Sequence, residues 1–265
     1  MIQTRTILLA GLLLALCTLP GCDAQQAAPP AAQPDAATSG KLYVVGTDAS
    51  YVPFEFQNEQ REIVGFDVEV LTAVAAKGGF RVRFVNTAWE SIFTALAQGD
   101  RDILASAISI TEPRRQQMDF SDPYFVARQL IAVGKGNAAI RHLADLKGRK
   151  VAVQAGTTGD EALQQLQGAV DVRRFASMLQ ALRAVESGEV EAMVGDNGAV
   201  AHYVASNPRH KLAAVADDAS FSPEFYGFAV KKGNRALLDK LNIGIAAIKA
   251  DGSYDRIYRK YFSGL

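Results

Sequence analysis

The chain has 265 residues, 49% of them hydrophobic and 21% charged, with 28 Lys and Arg against 28 Asp and Glu. That length suits one large or two modest folded units, and the composition is ordinary for a soluble globular protein. A body without net charge offers no basic stripe to a phosphate backbone, which argues against nucleic acid as a partner.

In chain order, a polar start carrying Arg5 precedes the apolar run Ile7 to Leu16, and Leu19-Pro20-Gly21-Cys22 follows. This is the pattern of an export signal, and the run is too short to span a membrane as a helix. Leu-Pro-Gly-Cys resembles the bacterial lipobox, whose Cys is acylated and becomes the mature N-terminus. Pro20 departs from the Ala, Ser, Thr or Val usual at its position. Cys22 is thus the expected lipidation site, with an ordinary signal peptide cut after Ala24 as the alternative. Cys17 and Cys22 are the only cysteines, so the processed chain is expected to hold no disulfide and no cysteine metal site. Asp23 behind a lipidated Cys points to retention at the inner membrane of a Gram-negative cell. Residues 23–40, made mostly of Ala, Pro and Gln, read as a disordered tether.

From Lys41 strand and helix patterns alternate. Leu42 to Gly46 is an apolar run suited to a buried parallel strand, and Val68, Val70, Leu71, Val74 and Ala75 mark a helix stopped at Gly78-Gly79. Arg81 to Val85 alternates like a strand, Ile92, Phe93 and Leu96 mark a short helix closed by Gly99, and Asp102 to Ile108 is the next strand. This βαβαβ order implies a parallel α/β layer. A second unit follows, with strands at Leu130 to Val133, Lys150 to Val153 and Glu191 to Val194. Thr158 to Glu161 and Ser177 to Gln180 are capping-box patterns that open helices, the second ending at Gly188. Phe228 to Val230 is a late strand, Leu237 to Ile248 a helical stripe, and Tyr254 to Phe262 a final aromatic helix. Ligands of open α/β sheets sit beyond the carboxyl ends of strands, here after Gly46, Ile108, Val153 and Val194.

Those four places hold the candidate chemistry. After Ile108, Thr111 can cap a helix and Pro113 suits its first turn, which puts Arg114 where free N–H groups already favour an anion. A guanidinium there can grip a carboxylate with two hydrogen bonds; a surface arginine is the alternative. Gly156 to Gly159 is a small-residue segment at a helix start, an anion-binding concavity or a plain cap, without the ending of a phosphate loop. Asp196 can receive an ammonium or merely cap a helix. Together Arg114 and Asp196 match the two charges of a zwitterion. Asp48, Tyr51, Pro53, Phe54 and Glu55 follow the first strand, and Trp89 opens a helix; these aromatics serve a core as readily as a ligand wall. Glu55 faces either the site or solvent. His142, His202 and His210 are isolated and read as surface residues without metal-ligand spacing.

Taken in order, GTDASYVPFEF (46–56), IVGFDVEV (63–70), SAISITEPR (106–114), MDFSDPY (118–124), VAVQAGTTGDEAL (151–163) and GSYDRIYRKYF (252–262) resemble the polar amino-acid-binding proteins of bacterial ABC transporters. The resemblance spans roughly residues 41–262. It implies an α/β, two-lobed type II periplasmic-binding-protein clamshell with two crossover strands, lobe one at 41–127 plus 227–265 and lobe two at 128–226. It also implies which residues hold the ligand. Arg114 and the Thr158 N–H take the α-carboxylate, while Asp196, the Ser109 hydroxyl and the Ala107 carbonyl take the ammonium. Tyr51 and Trp89 sandwich the side chain, and Asp48 reads its far end. Gln154 stands where glutamine-binding relatives carry lysine. Asp48 between two aromatics favours a cationic side chain, which ranks Arg, Lys, ornithine and His above Gln. The expectation is a monomeric, non-enzymatic, lipid-anchored protein without metal or cofactor. It would stand in the periplasm or on the outer face of the cytoplasmic membrane and serve an ABC permease. Two alternatives use the same fold. A cyclohexadienyl dehydratase needs a central carboxylic acid, for which Glu55 is the sole candidate. A sensor domain normally runs on into a membrane span, whereas this chain stops at Leu265.

Overall fold

The computed structural model describes residues 40–206, 209 and 211–263. The export segment with Cys22, the tether up to residue 39, and His210 lie outside the described residues. The first elements are β1 (Leu42–Thr47), β2 (Ser50–Tyr51), β3 (Glu55–Gln57), β4 (Ile63–Val64), α1 (Phe66–Gly78), β5 (Arg81–Asn86), α2 (Trp89–Gln98) and β6 (Ile103–Leu104). Next come α3 (Glu112–Gln117), β7 (Met118–Phe120), β8 (Phe125–Ala127), β9 (Gln129–Gly134), β10 (Lys150–Gln154), α4 (Thr158–Gln164), β11 (Asp171–Phe175), α5 (Met178–Ser187) and β12 (Ala192–Asp196). The chain continues with α6 (Asn197–Ser206), β13 (Leu212–Val215), β14 (Glu224–Tyr226), β15 (Ala229–Lys231), α7 (Arg235–Ala250) and α8 (Ser253–Phe262).

These strands build two five-stranded sheets, ordered β5-β1-β6-β15-β7 and β11-β10-β12-β9-β13. In the first, β1 runs parallel to β5 and β6, and β15 runs antiparallel to both of its neighbours. The second repeats the pattern, with β10 parallel to β11 and β12, and β9 as the reversed strand. The reversed strand of each sheet is the one that arrives directly from a crossover. The crossovers themselves, β8 and β14, pair antiparallel with Phe125 opposite Tyr226 and Ala127 opposite Glu224. The result is a two-lobed α/β clamshell whose mainly parallel sheets are joined by a two-stranded ribbon.

Local chemistry explains most boundaries. Gly79 ends α1 and Gly188 ends α5 in the left-handed region, where a missing Cβ removes the steric penalty. Ser177 and Gln180 form a reciprocal capping box. Three expectations need correction. The strand expected from Asp102 to Ile108 stops at Leu104, because Ala107 turns to a positive φ of 48° and its N–H leaves the ladder for Asp67 Oδ2 at 2.8 Å. The cap of α4 is Thr157, not Thr158: the Thr157 hydroxyl accepts from the Asp160 N–H, while the Asp160 side chain is taken up by Arg174. His202 is half-buried beside Met178 and Tyr203 rather than a surface residue, and burial lowers its pKa. The β2–β4 ribbon and β11 carry no clear period-2 pattern. The first has strands of two or three residues, and β11 spends its alternation on charged, largely exposed positions.

A cluster of aromatic rings packs around the crossover. Phe54 lies 5.0 Å from Phe125 and 5.4 Å from both Tyr226 and Phe262, and Phe66 lies 5.0 Å from Phe262. Tyr124 stacks on Phe228 at 4.2 Å, so both crossovers are clamped to the first sheet and to α8. Edge-to-face and stacked pairs add to the area that such rings remove from water. Phe54 is fully buried at the centre. Phe54→Ala is therefore expected to lower unfolding stability by about 3–5 kcal/mol, read from the urea midpoint. A loss below about 1 kcal/mol would show that the cluster does not carry this load.

Candidate functional site

The carboxyl ends of the parallel strands converge on one cavity. From the first sheet, β1 delivers Asp48 and then Tyr51, β5 delivers Trp89 at the start of α2, and β6 leads to Ala107, Ser109 and Arg114. From the second, β10 ends at Gln154 and leads to Thr158, and β12 ends at Asp196. All nine of these line the cavity, together with Glu55, Ser106 and Thr157.

The two walls touch through hydrogen bonds that cross the cleft. Trp89 Nε1 donates to the Ala155 carbonyl at 3.0 Å, and Tyr51 OH donates to Asp196 Oδ2 at 2.5 Å. The Gln154 side chain hydrogen-bonds Asp48, which also accepts from Ser50 Oγ at 2.8 Å. Arg114 is buried near the middle. Its Nη1 donates to the Ser109 carbonyl at 2.9 Å and its Nη2 to the Gly156 carbonyl at 3.3 Å. The guanidinium carbon lies 5.5 Å from the Trp89 ring and 5.3 Å from Phe93, so aromatic faces hold the cation's other side. Thr111 caps α3 by accepting from the Arg114 N–H, which fixes where the arginine leaves the backbone.

The electrostatics follow from burial. Desolvation draws Arg114 below its ordinary value, while Glu161, Asp196 and Glu224 act in the opposite sense. An arginine stays cationic all the same. Burial raises Asp196 to about 6, with the charge of Glu224 adding to the rise and the Tyr51 hydroxyl opposing it. Burial likewise raises Asp48. Glu55 is fully buried, accepts from Ser106 Oγ at 2.9 Å, and is held well above its ordinary value by desolvation and then by Asp67. Asp67 is raised by its own burial while accepting from Tyr124 OH and the Ala107 N–H. Two carboxyls enclosed together cannot both ionise at low penalty, which favours a proton shared between them over two charges.

Sequence reasoning left Glu55 between site and solvent; it lies in the cavity wall, away from bulk water. Ser106 stands in the quoted motif SAISITEPR without a role of its own, and Gln129 and Glu224 carry no sequence signal. Ser106 receives the Asp48 N–H at 3.0 Å, and Gln129 Nε2 donates to Asp196 Oδ1 at 2.5 Å. Neither Gln129 nor Glu224 sits in a strand-to-helix segment or in one of the motifs that carry the family resemblance. His142 is exposed, with Nδ1 3.4 Å from Asp217, far from this constellation in role. Among the described residues no three His, Cys, Asp or Glu side chains are grouped to hold a metal ion. No described helix is long and apolar enough to cross a membrane.

Residues 43–264 match the family described as bacterial extracellular solute-binding proteins, family 3. A protein named "Probable histidine-binding protein" of Neisseria gonorrhoeae is 38% identical over 246 residues, 92% of this chain and 89% of that one. A solved ancestral arginine-binding protein bound to arginine superposes with a TM-score of 0.79 at 42% identity, over 83% of this chain and 98% of that one. The arginine-, lysine-, histidine-binding protein of Geobacillus stearothermophilus also gives 0.79, at 36% identity over 83% and 95% of the two chains. With this match over most of its length, and with its fold shared at that identity, the chain belongs to the bacterial extracellular solute-binding proteins of family 3.

Proposed function

We propose that this protein captures a cationic L-amino acid (arginine, lysine, ornithine or histidine) outside the cytoplasm and hands it to an ABC importer. The observation that carries the reading is the buried pairing of opposite charges on one cavity, Arg114 and Asp196, with the carboxylate of Asp48 beside them. The ligand carboxylate lies on Arg114 and on the Thr158 N–H in the first turn of α4, whose groups have no partner within the helix. The ammonium lies on Asp196, Ser109 Oγ and the Ala107 carbonyl. The side chain runs between Tyr51 and Trp89 toward Asp48 and Gln154. One guanidinium faces the carboxylates of Asp48, Asp196 and Glu224, so a ligand with two positive charges and one negative offsets the wall better than a neutral zwitterion does. Relatives that carry arginine, lysine and histidine in their names support the same class.

Closure follows from the layout. We take lobe one as residues 41–127 plus 227–265 and lobe two as 128–226, turning about β8 and β14. A ligand that bridges them stabilises the closed form by its differential contacts, the usual logic of hinge closure. We read the site as binding and not as catalytic. A specific observation keeps one alternative in play: Glu55 is a fully buried carboxyl in the cavity wall, and burial with Asp67 beside it favours its protonated form, the kind of acid an elimination reaction needs. Product formed from prephenate or arogenate would favour that alternative over transport.

Ligand-stripped protein is expected to melt at a clearly higher temperature with arginine, lysine, ornithine or histidine, and not with glutamate or leucine. Arg114→Ala and Asp196→Asn should each weaken arginine binding by about 100-fold or more in calorimetry, since each leaves a buried charge without its partner. Unchanged affinity in both variants would refute the assigned roles. Affinity should also depend on pH in a stated direction. Asp196 must be ionised to hold an ammonium and burial raises its pKa to about 6, so binding is full above that value and weakens as pH falls through it. Between pH 7 and pH 5 arginine affinity is expected to fall about tenfold; a flat profile would place the ammonium elsewhere.

A further inference from the structure

Glu224 begins the second crossover strand, within none of the motifs that drew attention to the site. The bridge between Ser109 and Tyr226, with the Ile110 N–H on the Phe225 carbonyl, brings β14 alongside the segment after β6. The carboxylate of Glu224 consequently sits between hydroxyls from the two walls. Ser109 Oγ reaches Oε2 at 2.6 Å, and Thr158 Oγ1 reaches the same oxygen at 2.7 Å. Gln129 Nε2 gives one hydrogen to Asp196 Oδ1 at 2.5 Å and shares its second between the other Glu224 oxygen at 3.0 Å and Thr158 Oγ1 at 3.1 Å.

Proton counting makes this arrangement directional. A carboxylate that accepts on both oxygens has no hydrogen to give, so each hydroxyl must be the donor. A hydroxyl owns a single hydrogen. With that hydrogen committed to Glu224, Ser109 Oγ keeps two lone pairs and nothing to donate. Thr158 Oγ1, which shares the second Gln129 hydrogen with Glu224, keeps at least one lone pair. Both residues line the cavity, as does Asp196, another acceptor.

We propose that Glu224 is a positioning residue that holds the Ser109 and Thr158 hydroxyls as pure acceptors, and so makes the site select a ligand ammonium over a hydroxyl at the α-carbon. The inference rests on the amino-acid reading of the site given above. An ammonium brings three hydrogens to a wall that only accepts. An α-hydroxy acid brings one hydrogen, which goes to Asp196, and its oxygen lone pairs then meet those of Ser109 Oγ. Released from Glu224, the serine hydroxyl can turn and donate to that oxygen, which removes the conflict.

The test is calorimetric titration of the ligand-stripped full chain with L-arginine, L-lysine and L-histidine and with the α-hydroxy counterpart of each. In the unsubstituted protein the amino acid is expected to bind far more tightly than its hydroxy counterpart. In Glu224→Ala that ratio should shrink by about tenfold or more, the effect of exchanging one mispaired polar contact for a made one. Glu224→Gln, whose amide oxygen still accepts from the hydroxyls, should restore part of the lost selectivity. Glu224→Leu, which cannot accept, supplies the same reading if the alanine variant does not fold. A variant that weakens both ligands equally, with the ratio unchanged, overturns the inference and leaves Glu224 a merely structural link. Failure of the unsubstituted protein to bind any of the three amino acids overturns the amino-acid reading and this inference with it.

Discussion

Arg114 and Asp196 are both withdrawn from water on facing sides of one cleft, and neither meets a full ionic partner in the hydrogen bonds it makes. The guanidinium donates to the carbonyls of Ser109 and Gly156, and the carboxylate accepts from Tyr51 and Gln129. Removing such groups from water costs several kcal/mol unless charge and hydrogen bonds return it. A scaffold that keeps them there is stabilised by burial elsewhere, in the aromatic packing around the crossover and in the two sheet cores. The rise of Asp196 to about 6 records the same tension as a proton equilibrium.

The remainder of the architecture serves that arrangement. Parallel strands end on one side, so five separate turns reach a common cavity without a long loop. Short helices start where those strands stop, and their first turns aim N–H groups at the same space. The crossover ribbon lies behind the cavity and carries Glu224, so the element that links the lobes also reaches the hydroxyls of both walls. Glu55 and Asp67 tie the β2–β4 region to Ser106 and Ala107 beneath the ligand space, which gives the wall a hydrogen-bonded backing.

What could be read in the sequence was what short-range pattern reports. Apolar runs ending in Gly46 or running to Asp196 announced buried parallel strands, and Thr111 with Pro113 announced a helix start that puts Arg114 on the cavity side. The sites that escaped are those made by contacts distant in the chain. Glu224 meets Ser109 across 115 residues and Gln129 across 95, from a three-residue strand too short to show periodicity. Ala107 gave no chemical signal of its own, and only the resemblance to a family singled it out; its turn depends on Asp67, 40 residues away. The one-residue shift of the α4 cap has the same origin. The pattern Thr158 to Glu161 pointed to Thr158 as the cap, whereas Thr157 caps the helix and Asp160 is engaged by Arg174 from β11.

Trp89 is the only tryptophan, and its indole N–H spans the cleft to Ala155 in this closed arrangement. Its fluorescence therefore reports directly on whether ligand brings the walls together. Titration of ligand-stripped protein with L-arginine, L-lysine and L-histidine is predicted to give a saturable change in Trp89 emission, with none from L-glutamate at the same concentrations. Emission that responds to glutamate as strongly, or to none of the four, would contradict a cleft closed by a cationic amino acid.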